Sequence, residues 1–336
     1  MGDTSRHLTY FKVENFKRFE SFEMKDLGQF NLIVGDNNVG KTSVLEALLI
    51  DPLAYQTFNN LAGALEFRNF KYELKYSDLD VYLNKAVNSP KIDFRLSYQD
   101  NIQYGHSISI DKISQKVKFH AEIPSGPPNT DAAQLHQDLK YSDYYPLPFI
   151  PFYRGHDESL TNFYSRLQKS QSLKNKFIKS LGTLVPDLTN IELSAESKNP
   201  YLIIYQSHMD ATIPLAFFGD GVLKLFRLLA EIIVNNGKRL MIDEIDTGIH
   251  FSRFKAFWKV ILKTAKENDV QLFMTTHNEE CIRYFKEVLD EDMADLQQNV
   301  RNITLVENAQ TKDVTAHTYN FAQFEHALNV GNEIRF

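Results

Sequence analysis

Residues 35–43 read Gly-Asp-Asn-Asn-Val-Gly-Lys-Thr-Ser, and no other stretch constrains the fold of this chain as tightly. The apolar run Phe30-Asn31-Leu32-Ile33-Val34 precedes them and the helix-patterned Val44-Leu45-Glu46-Ala47-Leu48-Leu49 follows, so the order is strand, glycine loop, helix. This is a phosphate-binding loop in the context it requires. Gly35 and Gly40 let the backbone curl so that successive N–H groups point inward, and the following helix adds its positive end. Asn37, Asn38, Val39, Gly40, Lys41, Thr42 and Ser43 are therefore the candidate nucleotide cradle. Lys41 is expected to reach the β- and γ-phosphates of ATP, and Thr42 to ligate Mg²⁺.

Such a loop needs an acidic strand end to hold the metal and a base to position water. Residues 239–246, Arg-Leu-Met-Ile-Asp-Glu-Ile-Asp, supply both. Asp243 is the candidate metal ligand and Glu244 the candidate base for the attacking water. Alone, the same residues also describe a buried strand ending in a solvated acidic turn; Lys41 in the same chain favours the catalytic reading. The next apolar run, from Gln271, ends in His277, where the carboxyl end of a parallel strand meets the ligand crevice. His277 is a candidate donor to the γ-phosphate or to water, against the alternative of a surface histidine. Gly219-Asp220-Gly221 opens an amphipathic helix whose first N–H groups can face an anion, or which Asp220 simply caps.

The alternation of elements indicates an α/β fold. Strands are expected at Leu8–Val13, Phe19–Met24 and Phe30–Val34, with a turn through Asn15. Helices are expected between Tyr55 and Lys85, then an antiparallel meander at Ile92–Tyr98, Tyr104–Ile110 and Val117–Ile123. Residues 124–134 read as a loop, 147–153 as an apolar run, and 160–170 and 173–184 as helices. Strands return at Ile191–Ser194 and Tyr201–Tyr205. Then helix 220–234, strand 239–245, helix 253–268, strand 271–276 and helix 279–290 follow in turn, the pattern of parallel strands with crossover helices. A strand pair at Ile303–Glu307 and Val314–Tyr319 and a short helix at 321–328 close the chain.

Composition limits the alternatives. A 336-residue chain with 43% hydrophobic and 24% charged residues is globular. It holds no apolar run of about eighteen residues, and its first residues lack a signal-peptide pattern, so a cytoplasmic protein without membrane attachment is expected. The single cysteine, Cys281, excludes an internal disulfide framework. A net charge of -6 argues against wholesale coating by nucleic acid. One local exception is the basic set Arg166, Lys169, Lys174, Lys176 and Lys179, which reads either as a solvated helix face or as a DNA contact.

Taken in order, Phe16-Lys17-Arg18-Phe19, the loop at 35–43, Phe217-Phe218-Gly219-Asp220-Gly221, Leu240-Met241-Ile242-Asp243-Glu244-Ile245-Asp246-Thr247-Gly248-Ile249-His250 and Phe273-Met274-Thr275-Thr276-His277 resemble the ABC-type ATPases of the SMC, RecF and OLD group. In particular they resemble the OLD-like AAA-15/AAA-21 branch, and the resemblance extends to residues 162–170 and to the closing Glu-Ile-Arg-Phe. It implies an α/β ABC-type ATPase head: an antiparallel N-terminal β lobe, a mixed or parallel P-loop sheet with crossover helices, and a short helical and β insertion without a long coiled coil. The implied divisions are 1–54, the N-terminal part of the head with the P-loop; 55–186, the insertion and helical lobe; and 187–336, the C-terminal part with the signature, Walker B and His switch.

The resemblance also implies that two heads sandwich two ATP molecules. Lys41, Thr42, Asp243, Glu244 and His277 then act in cis, Gly219, Asp220 and Gly221 approach the γ-phosphate in trans, and Asp246 lies at the seam. Phe217-Phe218 stand where many relatives carry a serine, and no Q-loop glutamine is identifiable. The chain lacks the LSGGQ of transporter cassettes, and it stops at Phe336 where a full OLD nuclease continues into a TOPRIM domain. The implied function is a Mg²⁺-dependent ATPase that forms a homodimer or higher homo-oligomer and serves as sensor or scaffold for a separately encoded effector, nuclease or toxin, in an antiphage system of PARIS-like or Septu-like type. Two alternatives stand beside it: a RecF-like, DNA-stimulated repair ATPase, and a scaffold whose bound ATP is structural.

Overall fold

The computed structural model describes residues 7–51, 53–68, 76–99, 102–111, 116–122, 133–135, 147–152, 159–194 and 200–330. In chain order, strands β1 (Leu8–Phe16), β2 (Phe19–Met24) and β3 (Phe30–Gly35) lead into helices α1 (Lys41–Ala47) and α2 (Ala54–Phe67). Strands β4 (Lys91–Tyr98), β5 (Gln103–Asp111), β6 (Lys116–Glu122), β7 (Ala133–Leu135) and β8 (Phe149–Ile150) follow, then helices α3 (Ser159–Leu167) and α4 (Gln171–Gly182). Next come β9 (Leu188–Ser194), β10 (Tyr201–Gln206), β11 (Ile213–Pro214), α5 (Asp220–Val234), β12 (Arg239–Ile242), α6 (Phe254–Glu267), β13 (Gln271–Thr275) and α7 (Glu279–Glu291). Strands β14 (Val300–Glu307) and β15 (Val314–Asn320) and helix α8 (Phe321–Asn329) complete the order.

The central sheet runs β15-β14-β3-β13-β12-β8, with β14, β3, β13, β12 and β8 parallel and β15 antiparallel at the edge. Its inner strands β3, β13 and β12 are buried on both faces, so their side chains alternate between two cores rather than between core and water. Phe30, Leu32 and Val34 join Leu240, Ile242, Leu272 and Met274 against helices α3 to α8. Ile33, Met241, Phe273, Ile303 and Leu305 face the other way, against α1, α2 and the second sheet. That sheet is antiparallel throughout, in the order β2-β1-β4-β5-β6-β7. Gln271 ties the layers together: its side chain accepts from the Leu8 N–H at 2.9 Å and donates to the carbonyls of Leu8 at 2.8 Å and Gly28 at 2.7 Å.

Several expectations shift. The turn expected at Asn15 falls at Lys17-Arg18, because β1 continues to Phe16. The strand expected over 239–245 ends at Ile242, since Glu244 adopts a left-handed backbone with φ of 45° that a strand cannot hold. Ala133 and Gln134, read as loop, pair with β6 in β7; the rest of the loop at 124–134 and the closing residues 333–336 lie outside the described residues. The meander β4 to β6, read with the insertion, continues the sheet of β1 and β2 through the β1–β4 pairing. Two residues of the 147–153 run form β8, which adds an edge strand beside β12. Among the described residues, no helix is long and apolar enough to cross a membrane.

Candidate functional site

The loop after β3 forms the floor of an open cleft of about 570 Å³ at the carboxyl ends of the parallel strands. Two glycines make its path feasible. Gly35 has φ of 146° and a Cβ there would lie 2.7 Å from the Leu305 carbonyl; Gly40 has φ of 108° and a Cβ would lie 2.9 Å from Arg18 Cδ. Gly40 also supplies the N-cap of α1, and no side chain caps the first helical turn. Lys41 is 9% exposed and its Nζ donates to the carbonyls of Gly35 at 2.7 Å and Asp36 at 2.9 Å. Burial pushes its pKa down, while Glu244, Asp243 and Asp36 pull it back toward the charged form.

Residues distant in sequence close the far wall. Thr42 Oγ1 donates to Asp243 Oδ2 at 2.8 Å across a separation of 201 residues. The other carboxylate oxygen accepts from Thr275 Oγ1 at 2.7 Å, and the same hydroxyl accepts the Glu244 N–H at 2.8 Å. Thr275 thereby holds both acids, and nothing in its local sequence marks it for that role. Its neighbour Thr276 donates to Asp246 Oδ1 at 2.7 Å, so two adjacent threonines at the end of β13 fix the whole acidic segment. The left-handed backbone at Glu244 costs roughly 1–3 kcal/mol. In return its carboxylate leaves the strand and lines the cleft with Asp243. His277 Nδ1 lies 3.6 Å from Glu244 Oε1, an electrostatic neighbour rather than a hydrogen-bond partner.

The donor set near Thr42 is one hydroxyl and one carboxylate oxygen within hydrogen-bond distance of each other, open to the cleft. Hard oxygen ligands at the end of a phosphate cradle fit Mg²⁺, which keeps several waters and takes only one or two protein ligands.

Asn37, Asn38, Gly40, Lys41, Thr42, Ser43, Asp243 and Glu244 line one cleft, whereas Gly219, Asp220 and Gly221 are not among its lining residues. Asp220 and Gly221 sit instead against the segment after Asp246. A Cβ on Gly221 would meet the Gly248 carbonyl at 2.8 Å, while one on Gly219 meets nothing within 4 Å. Phe217, just before them, is 80% exposed.

The cleft also takes in Lys17, Arg18 and Arg68, to which the motifs assign no role. Lys17 and Arg18 lie in the Phe16–Phe19 motif, which is their only sequence signal; Arg68 has none. Arg18 donates to the Asn38 carbonyl and pairs with Glu307, bracing the loop from outside. A further cation without a sequence signal, Lys224, lies one turn into α5. It is 2% exposed, and its Nζ has no hydrogen-bond partner among the described residues. Burial and Arg227 push its pKa down to about 8, against the pull of Asp243, Asp246 and Glu244.

Comparison with known proteins agrees with this geometry. A curated relative, an ATP/GTP phosphatase of Helicobacter pylori, is 23% identical over 331 residues, covering 83% of this chain and 88% of the relative. The DNA replication and repair protein RecF of Clostridium kluyveri is 22% identical over 250 residues, 74% of this chain, which spans 61% of the RecF length. Among solved structures, the SmcHead bound to the C-winged helix domain of ScpA superposes with a TM-score of 0.57 at 11% identity, covering 96% of this chain and 99% of that one. At that identity the likeness establishes the fold, an ABC-type ATPase head, and among the described residues there is no long coiled coil. The family described as "AAA domain, putative AbiEii toxin, Type IV TA system" matches residues 30–283, from the first residue of β3 to the middle of α7. With that span and those relatives, the chain belongs to the AAA_21 family and is an ATPase of the ABC, SMC and RecF type.

Proposed function

We propose that this chain hydrolyses ATP as one half of a paired head, and that its nucleotide state controls a separately encoded effector in antiphage defence. The observation that carries the hydrolytic part is the 2.8 Å bond from Thr42 to Asp243, which joins the two ends of a nucleotide site from opposite parts of the chain. Lys41 and the loop N–H groups bind and orient the β- and γ-phosphates, and Thr42 and Asp243 hold Mg²⁺. When bound, the metal supplies charge neutralisation on the phosphate oxygens. Glu244 orients water for in-line attack at the γ-phosphorus and accepts its proton; ADP leaves from the opposite side. His277, beside Glu244, orients the same water or the γ-phosphate.

Pairing is supported by the position of Gly219–Gly221, outside the cleft of their own chain and next to an exposed Phe217. A second copy brings that segment to the γ-phosphate, with Asp246 at the seam. The effector reading is supported by the family description, which names a toxin system. The test is co-expression with the product of the neighbouring gene. Glu244→Gln, locked with ATP, is expected to form a dimer by light scattering and to retain the partner on affinity purification, while wild type with ADP releases it. A monomeric Glu244→Gln protein with ATP, or a partner held equally in both states, refutes this reading.

The likeness to RecF favours a second reading, a DNA-stimulated ATPase. On α4, Lys176 is bound to Asn268 at 3.1 Å and lies 3.6 Å from Glu267, so it already serves the packing of α4. Charge reversal at Lys174 and Lys179 alone is therefore the cleaner probe. Stimulation of turnover by duplex DNA that this pair of changes abolishes selects the second reading.

A further inference from the structure

Lys17, Arg18 and Arg68 line the cleft in addition to Lys41, and two of these three share one carboxylate. Glu46 lies on α1 five residues beyond Lys41, and its side chain is 0% exposed. Its Oε1 is 2.8 Å from Arg68 Nε, and its Oε2 accepts a hydrogen bond from Lys17 Nζ. Lys17 reaches it from the β1–β2 turn, and Arg68 from the C-cap of α2. The Lys17 ammonium also stands over the Tyr82 ring, 4.9 Å from its centre. Tyr82 is itself fixed, donating from its hydroxyl to the Leu61 carbonyl at 2.9 Å and stacking on Phe16 at 5.3 Å.

A wholly buried carboxylate is costly to desolvate and persists only when well paired. Here one negative charge serves two cations, which leaves a net positive charge on the wall where phosphates would lie. Without the carboxylate, Lys17 and Arg68 repel each other. Burial already pushes the Lys17 pKa down, and Glu46 counters it by favouring the charged form. Cations fixed in advance bind an anion without the entropic cost of ordering long side chains at that moment.

We propose that Glu46 is a positioning residue that presents Lys17 and Arg68 to the nucleotide phosphates as a preformed pair of cations. This rests on the nucleotide-binding reading of the cleft.

The test uses the full chain, with ATP affinity by calorimetry and turnover across ATP concentration. Glu46→Gln keeps the side-chain shape and removes the charge. It is expected to raise KM about tenfold while lowering kcat much less. Lys17→Met is expected to raise KM similarly, and the double variant Lys17→Met/Glu46→Gln to be no worse than the poorer single one, because both changes remove one arrangement. An unchanged KM in folded Glu46→Gln, or strictly additive losses in the double variant, overturns the proposal in favour of a structural knot. If Glu46→Gln does not fold, Lys17→Met and Arg68→Met decide, since an unchanged KM in both also overturns it. Lys41→Ala separates the two levels. If it still binds ATP at wild-type affinity, the nucleotide reading itself fails; if it loses ATP while Glu46→Gln binds normally, only the positioning proposal fails.

Discussion

The loop at 35–43 and the segment at 219–221 are both glycine-containing helix entries, yet the chain treats them oppositely. The first is tied to distant parts of its own chain: Thr42, Asp243 and Thr275 are joined by bonds of 2.7 to 2.8 Å, and Arg18 braces the loop through the Asn38 carbonyl. The second lies away from that cleft, with open space around Gly219 and an 80% exposed Phe217 beside it. A single exposed aromatic is ordinary on a protein surface, so it is the proposed pairing that would give Phe217 a role. The contrast separates residues that complete a site within one chain from a helix entry that the same chain leaves outside that site.

The sharpest way to break this contrast is Glu244→Gln. With the proposed base removed, turnover is expected to fall by about 10²- to 10⁴-fold while ATP binding and ATP-dependent pairing persist. Near-wild-type turnover in a steady-state assay would show that another group takes the proton. Lys41→Ala removes a charged contact at the phosphate loop and is expected to weaken ATP by roughly 1.5–3 kcal/mol, about ten- to a hundredfold, and to prevent pairing. Unaltered calorimetric affinity excludes the loop as the phosphate site.

Gly221→Ala acts on the other half. Its new Cβ must displace the Gly248 carbonyl, so a loss of about 1–3 kcal/mol in denaturant unfolding is expected, with the intrinsic affinity for ATP retained. A parallel loss of ATP affinity would mean the two halves are one site within the chain. Phe217→Ser should be the mildest for the monomer, within about 0.5 kcal/mol in stability, since the ring is exposed. Its expected signature is a roughly tenfold weaker ATP-dependent dimer in sedimentation, of the order of the transfer energy of a buried aromatic ring. Dimerisation at wild-type strength would place the seam elsewhere.

Legibility in the sequence follows the range of the interaction. Helix α5 occupies the residues its apolar spacing predicts, Asp220–Val234, and β2 lies at the expected Phe19–Met24, because each is set by a local period. The strand expected over 239–245 is three residues shorter in the fold. Its apolar run is interrupted by Asp243 and Glu244 and resumes only at Ile245, and the contact of the Glu244 N–H with Thr275 shows how the turn at 243 is held. In the cleft, Lys41, Thr42, Asp243 and Glu244 are readable because their motifs constrain spacing and type together. Arg68 and Glu46 carry no such sign, since a salt bridge between helix α1 and the end of α2 leaves no period behind.

By itself the sequence determined the element types, the phosphate loop and the acids opposite it, since backbone geometry and side-chain chemistry act over a few residues. Tertiary structure alone decided that β3 lies between β14 and β13, that Thr275 at the end of β13 and Thr276 just after it grip Asp243 and Asp246, and that Glu46 gathers two cations beside the loop. Those outcomes depend on which distant segments share a buried surface, and burial is a property of the whole packed chain rather than of any window along it.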